Sequence, residues 1–257
     1  MACIKSMYDL YHGDCFEVME RLPAHSIDMV LCDLPYGCTR NEWDKPLNMQ
    51  QLWPLYKRLV KSGGVIALFA KQKYTIKLGA SNLKDFRYKI VWQKTNGTDF
   101  LNANRKPLSC HEDILIFYDK QPIYNPQKRE GFKPYFRDHS NTRSRLSPNY
   151  GKNFNPSTVK INTDGRRYPI DVINHGICQQ KGHSTAKPID LLEWLIKTYT
   201  NEGMTILDNC MGSGSAGVAA LNTGRRFIGI EKNQDFYSTA YKRIKQASSN
   251  LIQGLDA

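Results

Sequence analysis

One apolar run constrains the fold more than any other stretch of the chain, because it stops abruptly at a polar tetrapeptide. Residues Ile27–Cys32 are mostly apolar and predict a buried strand, and Asp33-Leu34-Pro35-Tyr36 follows directly, with a proline that breaks regular structure. In an open α/β sheet, ligands bind at the carboxyl ends of parallel strands. The tetrapeptide therefore predicts a functional site at that edge of such a sheet.

A second strand pattern, near the end of the chain, leads into a glycine-rich loop. Residues 204–208 are followed by Asn209-Cys210-Met211-Gly212-Ser213-Gly214 and by a predicted helix that runs to about Asn222. Such a loop lets the backbone approach a nucleotide, and Glu231, at the end of the next predicted strand, is suited to bind two ribose hydroxyls. Because NAD and S-adenosylmethionine both carry that diol, the loop by itself leaves both cofactors open.

The order of these two patterns along the chain decides between the cofactors. A Rossmann dehydrogenase needs a second mononucleotide-binding half after the first, but only 26 residues follow Glu231. They suffice for one closing helix, predicted at about 234–248. The glycine loop therefore belongs to the late half of a sheet whose functional edge begins at Asp33, which excludes the dehydrogenase order.

Much of the rest of the chain alternates between helix and strand patterns, as a parallel sheet requires, and a polar loop is predicted at residues 94–109. Further strands are predicted at residues 8–12, 65–69, 88–93 and 111–118, and further helices at 15–22, 49–61, 74–83 and 189–200. Asp14 is the predicted N-cap of the first helix, and Ser62-Gly63-Gly64 is predicted to stop the second. We expect an α/β fold of the Rossmann-like type, with a mostly parallel, doubly wound sheet.

Residues 119–182 differ in character from the rest of the chain. They contain twelve Lys and Arg against five Asp and Glu, and so carry +7 of the net charge of +12. Cations neutralise phosphates, while the interleaved aromatic, Asn and Arg side chains can reach base edges or fill the gap left by a displaced base. This composition predicts a DNA-contacting insertion, and a solvated basic surface or a disordered segment is the alternative. The candidate DNA contacts are Arg143, Arg145, Arg166 and Arg167.

Two segments carry a resemblance to a known family. Asp33-Leu34-Pro35-Tyr36 resembles the Asp-Pro-Pro-Tyr motif of S-adenosylmethionine-dependent DNA amino-methyltransferases, with Leu34 in place of the first proline. The hexapeptide His183-Ser184-Thr185-Ala186-Lys187-Pro188 is similar to that family's His-Pro-Thr-Gln-Lys-Pro segment. The order tetrapeptide, insertion, Lys-Pro segment and glycine loop is that of the beta class of the family.

This resemblance implies a methyltransferase with a circularly permuted motif order. A catalytic, cofactor-binding domain would comprise residues 1–118 and 183–257, and residues 119–182 would be the target-recognition insertion. The implied activity is methylation of N6 of an adenine flipped out of DNA, because cytosine-N4 members more often carry Ser at the position of Asp33. Cytosine-N4 methylation, an RNA adenine methyltransferase and a catalytically lapsed DNA-binding module are the alternatives.

The tetrapeptide has a chemical rationale as the catalytic group. An exocyclic amine is a poor nucleophile because its lone pair is delocalised into the ring, so the site needs acceptors that hold the N–H bonds. The Asp33 carboxylate is one acceptor, and the family implies the main-chain carbonyl of Leu34 as the other. Pro35 biases Leu34 toward an extended conformation, and the Tyr36 ring offers a face to a flipped base. Lys94 and Asn96 are weaker candidates for lining the base pocket.

The resemblance also implies a set of cofactor contacts near the glycine loop and the Lys-Pro segment. Lys187 is expected to meet the methionine carboxylate of S-adenosylmethionine. The complete predicted set is Asp14, His183, Thr185, Lys187, Asp208, Cys210, Gly212, Gly214 and Glu231.

The cysteine content bounds the cellular setting. Seven scattered cysteines without a C-x-x-C pair favour free thiols in a reducing compartment over disulfides or a metal site. There is no signal-peptide pattern and no apolar run near the ~20 residues that span a bilayer. We expect a soluble, cytoplasmic protein of a prokaryote or phage, without metal or membrane partners. The family allows a homodimer and an accompanying restriction endonuclease, and the sequence leaves both open.

Overall fold

The computed structural model describes residues 7–37, 44–138, 159–176 and 186–255. Two compact units are present, one built from residues 1–125 and 171–257 and the other from residues 126–170. Four predicted site residues lie outside the described residues, namely Arg143, Arg145, His183 and Thr185.

Eight strands form the central sheet of the first unit. They are β1 (Tyr8–His12), β2 (Ile27–Cys32), β3 (Val60–Ala70), β4 (Phe86–Thr98), β5 (Ser109–Phe117), β8 (Val172–Asn174), β9 (Thr205–Asp208) and β10 (Arg226–Glu231). Their order across the sheet is β1, β10, β9, β2, β3, β5, β4, β8. Every neighbouring pair is parallel except the two that involve β5. This mostly parallel order confirms the predicted fold class.

Helices cover both faces of this sheet. They are α1 (Cys15–Arg21), α2 (Met49–Leu59), α3 (Lys73–Ala80), α4 (Ile189–Tyr199), α5 (Ser215–Asn222) and α6 (Gln234–Leu255). One cluster of buried side chains packs the sheet against α4, α5 and α6, and a second packs it against α1, α2 and α3. None of the helices in the described ranges is long and apolar enough to cross a membrane.

The strand β2 shows why the organising run is apolar throughout. Met29 and Leu31 belong to one buried cluster, whereas Val30 and Cys32 belong to the other. Since successive side chains of a strand point to opposite faces, a strand covered on both faces has no polar side. The continuous run in the sequence is therefore the signature of a central strand.

The predicted end of α2 at Ser62-Gly63-Gly64 is wrong. The helix ends at Leu59, and β3 begins at Val60, so the glycines lie inside the strand. A Cβ on Gly64 would lie 2.6 Å from Val60 Cγ1 and 2.9 Å from the carbonyl oxygen of Asp28. Gly64 therefore permits close backbone approach within the β2–β3 pair instead of stopping the helix.

The sequence predicts a polar loop and no helix between β4 and β5, and the described residues there contain no α-helix. These two strands form an antiparallel hairpin, because residues 99–108, all of them described, contain only a short 3-10 turn, Phe100–Asn102. A parallel connection needs a crossover of about a dozen residues or more. Both strands are consequently longer than the predicted 88–93 and 111–118.

The range 119–182 contributes to both units. The strand β8 pairs in parallel with β4 and extends the central sheet. The second unit contains the antiparallel pair β6 (Tyr135–Asp138) and β7 (Val159–Asn162), together with a bridge between Arg129 and Arg167.

Candidate active site

Four acidic side chains converge on the carboxyl edge of the sheet. Asp14 follows β1 closely, Glu231 ends β10, Asp208 ends β9, and Asp33 follows β2. These four strands are adjacent and parallel, so their carboxyl ends meet at one edge. The structure thus brings together acids that the sequence places in four separate segments.

The tetrapeptide forms a tight cluster at the end of β2. The hydroxyl of Tyr36 donates to Asp33 Oδ1, and the Tyr36 ring packs against the Tyr74 ring with centroids 5.1 Å apart. The Leu34 side chain is only 2 % exposed and anchors the main-chain segment that carries the predicted second acceptor. Asp33 is therefore held by its own motif before any ligand binds.

Lys187 lies against Asp33 at the centre of the site. Its Nζ donates to Asp33 Oδ2 over 2.5 Å and lies 3.3 Å from Glu112 Oε2. Glu112 in turn accepts from Lys94 Nζ over 2.5 Å, and this ammonium also lies 4.8 Å from the centre of the Trp92 ring. Two carboxylates and two ammonium groups thus form one chain of ion pairs.

Glu112 is a site residue that the sequence does not single out, because residues 111–118 are predicted only as a strand. The available signal was an acid near the start of an otherwise buried strand, His111-Glu112-Asp113-Ile114. Lys94 was a weak candidate for the base pocket, and the structure places it on this acid. The predicted contact of Lys187 with the methionine carboxylate stays a prediction.

The electrostatics of this chain keep its members ionised. Burial raises the pKa of Asp33, and the Lys187 ammonium opposes that rise. Burial alone would lower the pKa of Lys187, but the carboxylates of Asp33 and Glu112 raise it. Against the effect of burial, Lys187 and Lys94 hold the pKa of Glu112 below its usual range. Lys187 Nζ lies 2.5 Å from Asp33 Oδ2 and 32 % of the Asp33 side chain is still exposed, so the two groups form an ion pair.

The glycine loop lies beside Glu231. Glu231 Oε2 accepts from the Gly212 N–H over 2.9 Å, and Oε1 accepts from the Asn233 N–H over 2.8 Å. Gly212 has a φ of +51°, and a Cβ placed on it would have no described atom within 4 Å. Gly212 therefore borders open space at the carboxyl edge.

Gly214 has a different reason to be glycine. Its φ is +78°, and a Cβ would lie 2.9 Å from Ala240 Cβ and 3.0 Å from Ile244 Cδ1. Both neighbours belong to α6, so Gly214 lets α6 pack against the start of α5.

Asp14 is confirmed as the N-cap of α1. Its Oδ1 accepts from the Phe16 N–H over 3.0 Å, and its Oδ2 pairs with Lys232 Nζ at 3.1 Å. Although burial opposes it, these bonds hold the pKa of Asp14 below its usual value. The predicted cofactor contact at Asp14 is compatible with this cap and stays a prediction.

Asp208 and Cys210 lie beneath the loop. Asp208 is only 4 % exposed, and its Oδ1 accepts from the Cys210 N–H over 3.1 Å. Burial raises the pKa of Asp208 to about 7, although bonds from Cys32 and Cys210 oppose the rise. The Tyr56 hydroxyl donates to Asn209 Oδ1 over 2.6 Å and fixes the same turn. Asp208 therefore supports the loop from inside the protein.

In the second unit, Arg167 is committed to internal contacts. Its guanidinium lies 4.6 Å from the Tyr135 ring centre and donates to Asn162 Oδ1 and to the carbonyl of Lys133, each over 2.7 Å. Arg166 is exposed and pairs with Asp164 over 2.8 Å. Arg167 thus has an architectural role within this unit, whereas Arg166 can reach a ligand by exchanging a surface ion pair.

The tip of the β4–β5 hairpin presents apolar side chains that the sequence reasoning did not single out. Phe100 is 73 % exposed and Leu101 is 83 % exposed. The tip continues β4 and β5 past Glu112, on the carboxyl side of the sheet. Exposed apolar side chains next to Arg105 and Lys106 are suited to contact nucleic acid bases.

The buried carboxyl of Asp208 generates a prediction about stability and pH. Its pKa is raised from 3.8 to about 7, so its contribution to stability is complete below about pH 4 and is lost as the pH rises through about 7. The amide of Asp208→Asn does not ionise, so this variant does not lose stability as the pH rises through 7. In the absence of ligands we therefore expect the variant to unfold at a higher temperature than the wild type at pH 8. The difference should shrink toward pH 5. Thermal unfolding across pH 5–8 measures it, with the exposed Asp119→Asn as control, and a constant difference would contradict the assignment.

Comparison with known proteins identifies the family. The model of the N6/N4 methyltransferase family, described as DNA methylase, matches residues 27–242. The type II methyltransferase M.HinfI of Haemophilus influenzae is 26 % identical over 274 residues, covering 93 % of this chain and 68 % of that protein. The DNA adenine methyltransferase YhdJ of Escherichia coli K12 is 24 % identical over 250 residues, covering 93 % and 83 %.

Solved structures agree on the fold. The M1.HpyAVI–SAM complex superposes with a TM-score of 0.62 at 22 % identity, covering 92 % of this chain and 99 % of that chain. The cytosine-N4-specific PvuII DNA methyltransferase superposes with a TM-score of 0.65 at 15 % identity, covering 95 % and 91 %. The fold is therefore that of Rossmann-like DNA methyltransferases. Because the family model matches residues 27–242, which is most of the chain, the protein belongs to the N6/N4 DNA methylase family.

Proposed function

We propose that this protein transfers a methyl group from S-adenosylmethionine to N6 of an adenine that has rotated out of duplex DNA. The observation that carries the proposal is the position of Asp33, an ionised acceptor at the carboxyl end of β2. The adjacent strand β9 leads into the glycine loop. A substrate amine and a nucleotide cofactor would then bind at neighbouring strand ends.

The acceptors near Asp33 supply the polar contacts that the reaction needs. A carboxylate that accepts an N–H of the amine favours the positive charge that develops on the nitrogen during methyl transfer. The Leu34 carbonyl would accept the second N–H, and Tyr36 would face the base. Positioning accounts for much of the acceleration, because a held amine no longer has to find the methyl group by diffusion.

The residues of the glycine-loop side fit the proposed cofactor. Each Glu231 oxygen accepts one backbone N–H, and a carboxylate has capacity for further donors, such as two ribose hydroxyls. Gly212 leaves the backbone accessible beside it. When bound, S-adenosylmethionine supplies a methyl group on a positively charged sulfur, which is the leaving group. Asp14, His183 and Thr185 complete the proposed contacts. Lys187, which the resemblance places on the methionine carboxylate, lies in the structure against Asp33 and Glu112.

Adenine is the proposed target for two reasons. Cytosine-N4 enzymes of the family more often carry Ser where this chain has Asp33, and one relative, YhdJ, is a DNA adenine methyltransferase. The structural similarity to the cytosine-specific PvuII enzyme shows that the fold serves either base. A homodimer and a partner restriction endonuclease stay predictions.

Long-read mapping of modified bases tests the proposed function. The gene would be expressed in cells that lack other DNA methylation, and N6-methyladenine should occur at one short sequence. Finding N4-methylcytosine instead would show that the target base is cytosine and not adenine. Methyl transfer to RNA alone would favour an RNA enzyme, and cofactor binding without transfer to either would indicate a lapsed site.

The first functional prediction concerns Asp33. Asp33→Ala removes an acceptor at the reacting nitrogen, so we expect the rate to fall by at least about 100-fold. Binding of S-adenosylmethionine, measured by calorimetry, should persist. The matched control is Asp85→Ala, at the opposite edge of the sheet, where Asp85 pairs with Lys57. Near-normal turnover of the Asp33 variant would remove Asp33 from the catalytic role.

Gly212 and Gly214 give a matched pair for the cofactor site. Gly214→Ala pushes a methyl group against Ala240 and Ile244, so we expect the free energy of unfolding to fall by about 1–3 kcal/mol. Gly212→Ala has no such clash, but its methyl group enters the proposed cofactor space. We therefore expect it to weaken S-adenosylmethionine binding at least tenfold, about 1.4 kcal/mol. Denaturant unfolding and calorimetry on both variants measure the two effects. Unchanged binding in Gly212→Ala would place the cofactor elsewhere.

The basic residues of the 119–182 range lead us to predict that DNA binding weakens as the salt concentration rises. Replacing Arg143, Arg145 and Arg166 with Gln should weaken DNA binding and reduce the log–log salt slope by up to about 0.9 per lost phosphate contact. Arg167 is retained, because its loss would disturb the second unit itself.

A control removes the same charge at the opposite edge of the sheet, by replacing Arg21, Lys57 and Lys84 with Gln. DNA affinity measured at several salt concentrations compares the two triple variants. Equal slopes would mean that the insertion is only a solvated basic surface. DNA would then be held elsewhere, with the β4–β5 hairpin tip as the next candidate.

A further inference from the structure

Lys187 is shared unequally between two carboxylates. Its Nζ hydrogen-bonds Asp33 Oδ2 over 2.5 Å, whereas Glu112 Oε2 lies 3.3 Å away on its other side. The Lys187 side chain is only 9 % exposed, so water does not replace either partner freely. The structure therefore places two acids within ion-pair distance of one ammonium, and contact with Asp33 is its first position whereas closer contact with Glu112 would be a second one.

The second position, on Glu112, is the less well bonded of the two. Glu112 Oε1 accepts from Lys94, whereas the buried Glu112 Oε2 has the Lys187 ammonium as an ion-pair partner at 3.3 Å but no well-aligned hydrogen bond among the described residues. A buried carboxylate oxygen is stabilised by a well-aligned donor, and buried polar groups nearly always have one. Because Lys94 fixes the other oxygen, Oε2 stays beside Lys187 and is available to receive its ammonium.

In the first position the Lys187 ammonium occupies the carboxylate of Asp33, which is the group that the substrate amine must reach. Asp33 Oδ1 already accepts the Tyr36 hydroxyl, and Oδ2 accepts Lys187. An incoming amine must bond the same carboxylate. The Asp33 carboxylate has capacity for a further donor, but an ammonium that stayed on it would repel the positive charge that develops on the amine nitrogen. Methyl transfer is therefore favoured when Lys187 moves away from Asp33.

We propose that Lys187 holds the place of the target amine on Asp33 and passes to Glu112 Oε2 when the amine binds. The proposal rests on the proposed function, because the arriving group is the exocyclic amine of the flipped base. Glu112 is thus a positioning residue, which acts through Lys187 and does not touch the substrate. The move leaves the net charge of the cluster unchanged, because both carboxylates and both ammonium groups remain in it, and Asp33 exchanges an ammonium donor for an N–H of the amine.

The arrangement also explains why a charged acid is needed at residue 112. Without Glu112, Lys187 has only Asp33 as a partner, so the ammonium stays where the amine must bind. Lys94 has the supporting role of neutralising Glu112 and of fixing its other oxygen. The whole chain of ion pairs, and not Asp33 by itself, then sets how readily the acceptor is released to the substrate.

The test removes the Glu112 carboxylate, the second partner of Lys187, together with one ammonium, so that the buried charges stay balanced. The variant Lys94→Met/Glu112→Gln removes one positive and one negative charge and leaves Lys187 paired with Asp33. We expect kcat for methyl transfer to fall by about 10- to 100-fold, the scale of a misplaced reacting group. S-adenosylmethionine affinity should stay within about twofold of the wild type. The matched control, Lys89→Met/Asp113→Asn, removes another β4–β5 ion pair, 2.9 Å long, and should leave kcat unchanged.

A second readout reports on the amine itself. Wild type and variant are titrated with duplexes that carry either the mapped target adenine or purine, which lacks the amine, at the same position. If Lys187 blocks Asp33 in the variant, the preference for adenine over purine should be smaller than in the wild type. A purely structural role of Glu112 would leave this preference unchanged, because base pairing and flipping contribute equally to both proteins.

The outcomes separate the inference from the proposed function. If the wild type methylates DNA and the variant has the same kcat and the same preference, the role of Glu112 and Lys187 is overturned, and the proposed function stands. If the wild type transfers no methyl group to DNA, both are overturned.

If the variant does not fold, a crystal structure of the wild type with S-adenosylhomocysteine and the target duplex decides. Lys187 hydrogen-bonded to Glu112, with the base amine on Asp33, supports the inference. Lys187 still bonded to Asp33 in that complex overturns it.

Discussion

The parallel pairing of β2 with β9 is the constraint on which the rest of the site depends. Met29 pairs with Ile206 and Val30 with Leu207, although these residues are far apart in the sequence. Asp28 reinforces the junction, because its Oδ2 accepts from the Thr205 N–H over 2.9 Å. This pairing joins the early half of the chain, which carries Asp33, to the late half, which carries the glycine loop. Without it, Asp33 and the glycine loop would lie on separate sheets.

Burial at that junction determines the electrostatics of the site. The strand ends carry acids into a place with little water, where an isolated carboxylate would take up a proton. The structure uses two solutions side by side. Burial raises the pKa of both acids, but at Asp33 the Lys187 ammonium supplies a counter-charge that opposes the rise. Burial raises the pKa of Asp208 to about 7, and the bonds from the Cys32 thiol and the Cys210 N–H oppose this rise without a counter-charge. Two similar acids on adjacent strands thus have different partners that offset the same burial.

The glycines of the loop show that one motif can serve two purposes. Gly212 borders open space and bonds Glu231 through its backbone, whereas Gly214 allows α6 to approach α5. Two glycines at alternate positions of one loop therefore have different structural roles, open space beside Glu231 at Gly212 and helix packing at Gly214. Only the packing partners of each glycine distinguish the two.

The sequence by itself determined the fold class, the motif order and the strand ends at which the acids lie. These follow from local signals, namely apolar runs, glycine loops and proline breaks, which act within a few residues. The hairpin direction of β5 and the entry of β8 into the central sheet depended on pairing between distant segments. Only the tertiary structure decided that Lys187 and Lys94 meet on Glu112, because side chains from three elements must first be folded together before their charges can be matched.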